Sequence, residues 1–341
     1  MATVDTAPWP AGVWRRLLAD AVSDLDELLA LLDLDESCLG EQADALRSAH
    51  SFVLRVPRGF IERMQRGNPD DPLLRQVLPV DREMIRVGGF TTDPVGELTH
   101  SPSDGVLYKY HGRALVMATG ACAVHCRYCF RRHFSYSDHA VAGGDLEATI
   151  SRIAADPEIT EVILSGGDPL TLPDVHFEVL ARGLAGVPSV RRLRIHTRLP
   201  IVLPQRVDTD LVTWLGSLEV PVVVVVHANH ANEIDSDVRR SLAALDATGV
   251  TLLNQAVLLA GVNDSADVLV DLSEALFEAG VLPYYLHLLD PVEGAAHFEV
   301  PEEKASLLNN ELTNRLPGYL VPRLVREVAG APAKVGIDLW R

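Results

Sequence analysis

Six short apolar or β-branched runs punctuate the chain after its first third: ALVMAT (114–119), EVILSGG (161–167), RRLRIHT (191–197), PVVVVVHAN (221–229), TLLNQAVLL (251–259) and LPYYLHLL (282–289). After the first interval their starts lie 30, 30, 30 and 31 residues apart. Helix-compatible segments such as 266–278 fill the gaps. Strand–helix units repeated at that interval predict a parallel α/β fold. Six units without a Rossmann-type GxGxxG favour an incomplete (β/α)6 barrel over a doubly wound sheet.

The first hundred residues follow another pattern. Leu25, Leu28, Leu29 and Leu32 fall on one face of a helix, with Ser23 and Asp26 placed to cap its start. From Asn68 to Gly105 the chain is rich in Pro, Gly and Asp, which predicts a segment wrapping over a surface. The expected division is a helical and wrapping region over 1–105, a (β/α)6 core over 106–290 and a C-terminal segment over 291–341.

Polar groups collect where these strands end. The first run leads into a cysteine-rich loop, the second into Ser165-Gly166-Gly167-Asp168, and the third into His196-Thr197-Arg198. The fourth ends in His227-Ala228-Asn229-His230, the fifth carries Asn254-Gln255, and the sixth delivers Asp290. Barrel enzymes place their chemistry on the loops after the strand C-termini, so this clustering predicts an active site at that end.

Composition narrows the class. A net charge of −17, with only short and dispersed arginine clusters, argues against a nucleic-acid surface. No charged-then-apolar leader opens the chain, and the run at 222–226 is far too short to span a bilayer. Few cysteines suit a reducing cytoplasm. Three lysines occur, Lys109, Lys304 and Lys334, so chemistry that requires a lysine has three candidates.

Of the four cysteines, Cys122, Cys126 and Cys129 lie in GACAVHCRYCFRRHF, and Cys38 is far upstream. A structural zinc site wants four closed ligands. Three thiolates spaced CxxxCxxC can hold three irons of a [4Fe–4S] cluster and leave the fourth open. Zinc completed by His125 or His133, or three buried structural thiols, are the competing readings.

CxxxCxxC followed by Phe130-Arg131-Arg132-His133-Phe134 resembles the lysine 2,3-aminomutase branch of the radical S-adenosylmethionine enzymes. KYHGRALVMATGACAVHCRYCFRRHF, LLNQAVLLAGVND and LPYYLHLLDPVEGAAHF are most similar to the short bacterial type that makes β-lysine for modification of elongation factor P. The resemblance implies a radical S-adenosylmethionine barrel holding a [4Fe–4S] cluster on Cys122, Cys126 and Cys129. It implies a cytoplasmic isomerase that moves the amino group of L-lysine from C2 to C3, with an electron donor as partner.

Within that resemblance, Gly166-Gly167 matches the glycine motif whose backbone carries the methionine amino group of S-adenosylmethionine. Ser165, Asp168, Asn254 and Gln255 are assigned to the same cofactor-binding rim. Pyridoxal phosphate is the second cofactor, with Lys334 in GlyAlaProAlaLys as its Schiff-base lysine and Arg113 against its phosphate. The motif departs from the family: one glycine precedes the lysine, and Val335-Gly336 follow it. Arg131 is implied to hold the substrate carboxylate, and Asp290 and Glu327 its distant ammonium. A lysine in this role requires the C-terminal segment to dock over the barrel mouth, anchored by Tyr319, Leu320 and Val321. The longer aminomutases carry further cysteines for zinc; this chain has none after Cys129, so that site is not carried over.

Overall fold

The computed structural model describes residues 6–41, 52–97, 105–134 and 146–337. Nine strands form one open sheet in chain order: β1 (Val106–Tyr110), β2 (Arg113–Thr119), β3 (Glu161–Gly166), β4 (Arg192–Thr197), β5 (Val222–Val226), β6 (Thr251–Val257), β7 (Leu282–His287), β8 (Arg323–Arg326) and β9 (Val335–Gly336). Strands β2 to β8 are parallel neighbours, and β1 and β9 flank them antiparallel. All six expected runs are strands, and the architecture is the incomplete barrel.

Strand alternation sorts the side chains. In β3 and β4, Val162, Leu164, Leu193 and Ile195 are buried in the core shared with the covering helices. The helix Asp174–Ala185 meets it with Phe177, Leu180, Ala181 and Leu184, all buried at i, i+3, i+4 and i+7. Each such large side chain stabilises the fold by about 1.5–3 kcal/mol. On the other face, Leu115, Ile163 with Ser165, Arg194 with His196, Gln255 with Val257, and Tyr285 with His287 line one cavity. Members of each pair are two residues apart, so the sheet curls round this space.

The helix expected around Leu25 runs Leu25–Leu31, after a first helix at Val13–Ala19, with Leu28, Leu29 and Leu32 buried. Its cap is Asp24, whose carboxylate accepts from Glu27 N at 2.8 Å, and not the expected Ser23. The wrapping segment presses Leu73, Leu74 and Val77 into the core and bridges Thr91 to Val292. Gln76 lies buried on the same segment, where its backbone carbonyl accepts from Arg127 N in the cysteine loop at 2.9 Å.

The C-terminal segment reaches the cavity as part of the sheet. Its helix Glu302–Arg315 leads to β8, which pairs with β7 through Tyr285↔Arg323 and His287↔Val325. The chain then turns back so that β9 pairs with β8, Arg326 opposite Val335. Of the expected anchors, Leu320 is buried and Val321 half-buried, whereas Tyr319 is exposed and meets the Phe277 ring at a 50° tilt.

Candidate active site

The cavity at the C-terminal strand ends has a volume of about 540 Å³. Cys122, Cys126 and Cys129 all line it, on the loop that leaves β2. Successive turns shape this loop: Cys129 N donates to Cys126 O at 3.0 Å and Arg132 N to Cys129 O at 3.1 Å. The N-terminal region clamps it from outside. Buried Glu83 accepts from Arg127 Nε at 2.8 Å and from Arg132 Nη2 at 2.7 Å. Burial works against the Glu83 carboxylate, but the two arginines outweigh it and hold its pKa low. Cys38 is remote, its thiol donating to Asp35 O.

Burial, and then mutual proximity, push the Cys122 thiol up and the Cys129 thiol to about 11. Deprotonating such a group requires a compensating positive centre. Among the described residues, no three or more His, Cys, Asp or Glu side chains are close enough to hold a single ion. One ring nitrogen of each competing histidine contacts a carbonyl, His125 Nδ1 that of Val53 and His133 Nε2 that of Glu293. Thiols gathered round one cavity without converging on one point fit a cluster, in which each bonds a different iron, better than zinc.

The glycine motif is built against this loop. Gly166 has φ of 121°, a backbone conformation that favours glycine, and a Cβ there would sit 2.4 Å from Thr119 O. A Cβ on Gly167 would sit 2.3 Å from Ala121 O. Both glycines and Ser165 line the cavity. Asp168 also borders it, but its carboxylate accepts from Leu170 N, Thr197 Oγ1, Arg198 N and Leu199 N, so it staples the loop after β3 to the loop after β4.

Asn254 is a correction. Its buried amide pairs with Ala228, accepting from the backbone N at 2.8 Å and donating to the carbonyl at 3.1 Å, and it does not line the main cavity. Alternation permits only one of Asn254 and Gln255 to face inward, and that one is Gln255.

Arg131 and Asp290 line the same cavity. Arg131 is buried and forked onto a residue that sequence reasoning missed: Nε donates to Glu97 Oε2 at 2.6 Å and Nη2 to Glu97 Oε1 at 2.8 Å. Its Nη1 reaches Ser165 Oγ and Gly166 O, both at 3.2 Å.

At the other end, Lys334 Nζ donates to Glu327 Oε2 at 2.7 Å and sits 5.6 Å from the centre of the Tyr285 ring. The β8–β9 pairing explains the contact, because Glu327 and Lys334 are the residues that follow β8 and precede β9. Tyr110 donates to the other Glu327 oxygen; burial, then this carboxylate, raises its pKa. Arg113 is half-exposed, 3.5 Å from Glu161, which also pairs with Arg194 at 2.9 Å. Arg113, Arg194 and Arg323 all line the cavity near Lys334, a grouping suited to a phosphate. Arg194, Arg323 and Tyr110 carry no sequence signal beyond their strand parity. Lys304 lies outside, paired with Asp264, and the side chain of Lys109 lies outside the described residues.

Three histidines line the cavity in neutral form. Burial lowers the pKa of His196 and His287 well below the usual imidazole value and that of His227 to about 3. Among the described residues His196 Nε2 has no hydrogen-bond partner, a buried polar atom of the kind a bound group satisfies.

An open parallel barrel whose first parallel strand feeds a CxxxCxxC loop defines a radical S-adenosylmethionine enzyme, and residues 111–190 match the family model described as a 4Fe-4S single cluster domain. Over 327 residues the chain is 50% identical to the L-lysine 2,3-aminomutase of Escherichia coli, covering 96% of this chain and 94% of that protein. The Haemophilus influenzae L-lysine 2,3-aminomutase is 47% identical, with 94% of each chain covered. That of Acetoanaerobium sticklandii is 33% identical, over 98% of this chain and 80% of the relative. The chain belongs to the L-lysine 2,3-aminomutase family.

Proposed function

We propose that this chain converts L-lysine to β-lysine by moving the amino group from C2 to C3. The reading rests on one coincidence: three cysteines, Arg131, Asp290 and Lys334 line a single cavity at the catalytic end of the barrel. Cys122, Cys126 and Cys129 would hold the [4Fe–4S] cluster, and Ser165, Gly166, Gly167 and Gln255 would border S-adenosylmethionine. Lys334 would carry pyridoxal phosphate, whose phosphate the cationic rim of Arg113, Arg194 and Arg323 suits. When bound, these groups supply one-electron hydrogen abstraction and a π-system conjugated with the migrating nitrogen.

This chain's own residues bind and orient. Arg131 reads the substrate carboxylate, and its bonds to Ser165 and Gly166 fix the guanidinium plane. Asp290 and Glu327 supply negative charge for the distant ammonium. With Lys334 engaged by its cofactor, Glu327 would accept the substrate's ammonium in its place. The neutral His196, His227 and His287 add no positive charge that would repel the substrate's ammonium.

The short bacterial type that the chain resembles supplies β-lysine to elongation factor P, and we assign the product to that use. A reducing cytoplasm would keep the three thiols available, and an electron donor must reach the cluster. Among the described residues no helix is long and apolar enough to cross a membrane. Anaerobic reconstitution with iron, sulfide and both cofactors, followed by chiral analysis after L-lysine or L-glutamate is added, tests the reading. β-Lysine is expected from lysine and no product from glutamate. Turnover of glutamate, or none of lysine, would overturn it. Asp290→Asn should raise KM for lysine, since an ammonium there loses its anion.

A further inference from the structure

We propose that Arg198 is a positioning residue for the metal centre: its guanidinium donates to the sulfur of Cys126 and raises the reduction potential of the cluster held there. The proposal rests on reading Cys122, Cys126 and Cys129 as cluster ligands, and concerns a residue to which that reading assigns no role.

Arg198 leaves the end of β4 with its backbone already fixed. Its N–H donates to Asp168 Oδ2 at 2.7 Å, and Thr197 Oγ1 donates to Asp168 Oδ1 at 2.7 Å. The acid of the glycine motif therefore sets the point from which the arginine departs. The buried side chain then runs under the cysteine loop. Nη1 lies 2.7 Å from Cys126 Sγ and 2.8 Å from Tyr128 Oη. Nη2 donates to Gln76 Oε1 at 2.6 Å and to Glu233 Oε2 at 3.0 Å.

The charge layout is directional. Glu233 is wholly buried and takes only Nη2 of the guanidinium, while Nη1 faces the sulfur and the Tyr128 hydroxyl. The remaining oxygen of Glu233 accepts from Asn229 N at 2.8 Å and Gln76 Nε2 at 3.1 Å, so the carboxylate is tied to groups other than the cysteine sulfur. A packed ion pair needs no sulfur, and an arginine wanted only for Glu233 would fork onto it as Arg131 forks onto Glu97. What results is a buried dipole with its positive end on a cysteine ligand. Reduction adds an electron shared between the irons and their sulfurs, so a donor on the sulfur stabilises the reduced form more than the oxidised one. The low local dielectric strengthens that preference.

Redox titration of the anaerobically reconstituted protein, followed by the electron paramagnetic resonance of the reduced cluster, tests this. Arg198→Gln should bind iron and sulfide as the unsubstituted protein does. At the potential where the unsubstituted cluster is half reduced, its ratio of reduced to oxidised cluster should fall about tenfold, equivalent to about 59 mV for one electron. Arg198→Lys keeps the charge and should recover part of the shift. Glu233→Gln removes the countercharge and should move the potential the opposite way. Packing damage alone has no reason to give shifts of opposite sign. Should Arg198→Gln lose its cluster, Glu233→Gln and Arg198→Lys decide by the same signs. An unchanged midpoint in Arg198→Gln, or a Glu233→Gln midpoint that stays put or falls, overturns the proposal. An unsubstituted protein that takes up no cluster overturns instead the reading of the cysteines.

Discussion

Arg131 and Lys334 are the two cations that the proposed chemistry asks most of, and the fold holds them in opposite ways. Arg131 and its partner Glu97 keep 8% and 5% of their side-chain surface, and the pair is bidentate. Ser165 and Gly166 accept from the remaining nitrogen, and the loop that carries the arginine is clamped by Glu83. Lys334 keeps 22% of its surface and meets Glu327 through its single ammonium, from the position just before a strand two residues long at the sheet edge. A bidentate buried fork suits a group that must hold a carboxylate plane still. A single ammonium contact on a short hairpin suits a group that must leave its partner and return. The difference teaches that rigidity here follows the task of each residue more than its distance from the reaction.

The largest effect should come from breaking the loop on which Arg131 is built. Alanine at Cys122, Cys126 or Cys129 should abolish iron binding and cluster absorbance, while Cys38→Ala leaves both intact. Loss in the Cys38 variant would remove the loop from the account.

Next in size is the buried pair itself. Arg131→Gln strands the Glu97 carboxylate and should cost about 3–5 kcal/mol in denaturant unfolding, besides weakening lysine binding. Adding Glu97→Gln should restore much of the stability but not the binding. A double variant that recovers turnover would show Arg131 to be a structural cation only.

The Lys334 end should show the reverse. Lys334→Ala breaks a partly exposed single contact and should cost only about 1 kcal/mol of stability, with cluster content unchanged and turnover lost. A destabilisation as large as that of Arg131→Gln would erase the contrast between the two sites.

The smallest effect is a shared dependence on pH. The folded pKa of His227 lies near 3, and those of His196 and His287 are also depressed from 6.5. Below about 6.5 the unfolded chain binds the extra protons, so the stability of neutral burial is present above that value and is lost as pH falls from it. Melting temperature should drop between pH 7 and pH 5. A flat profile would show that these imidazoles are charged in the cavity.

Much of the fold was legible because six runs share one strand grammar and the last five of them one period. β8 and β9 were not, since RLVR and a two-residue strand carry no pattern that separates them from loop. The cysteines, glycines, Arg131 and Lys334 were legible as motif members. Glu97, Arg194, Arg198 and Arg323 were not, because single charged residues acquire meaning only when the sheet curls and brings distant strands to one space. Asn254 was misassigned although the alternation within β6 could have corrected it, since adjacent residues cannot share a face. Asp168 shows the remaining limit: the motif marked its place, but only the loop beside it reveals that its oxygens are occupied.

Lys334, on the β8–β9 hairpin and paired with Glu327, would carry pyridoxal phosphate inside the cavity that the cysteine loop also lines. Borohydride reduction of the pyridoxal-loaded protein followed by peptide mapping tests it directly, because the chain has only Lys109, Lys304 and Lys334 to label. The account predicts a pyridoxyl group on the peptide containing Lys334. A label on Lys109 or Lys304, or none on any lysine, would contradict it.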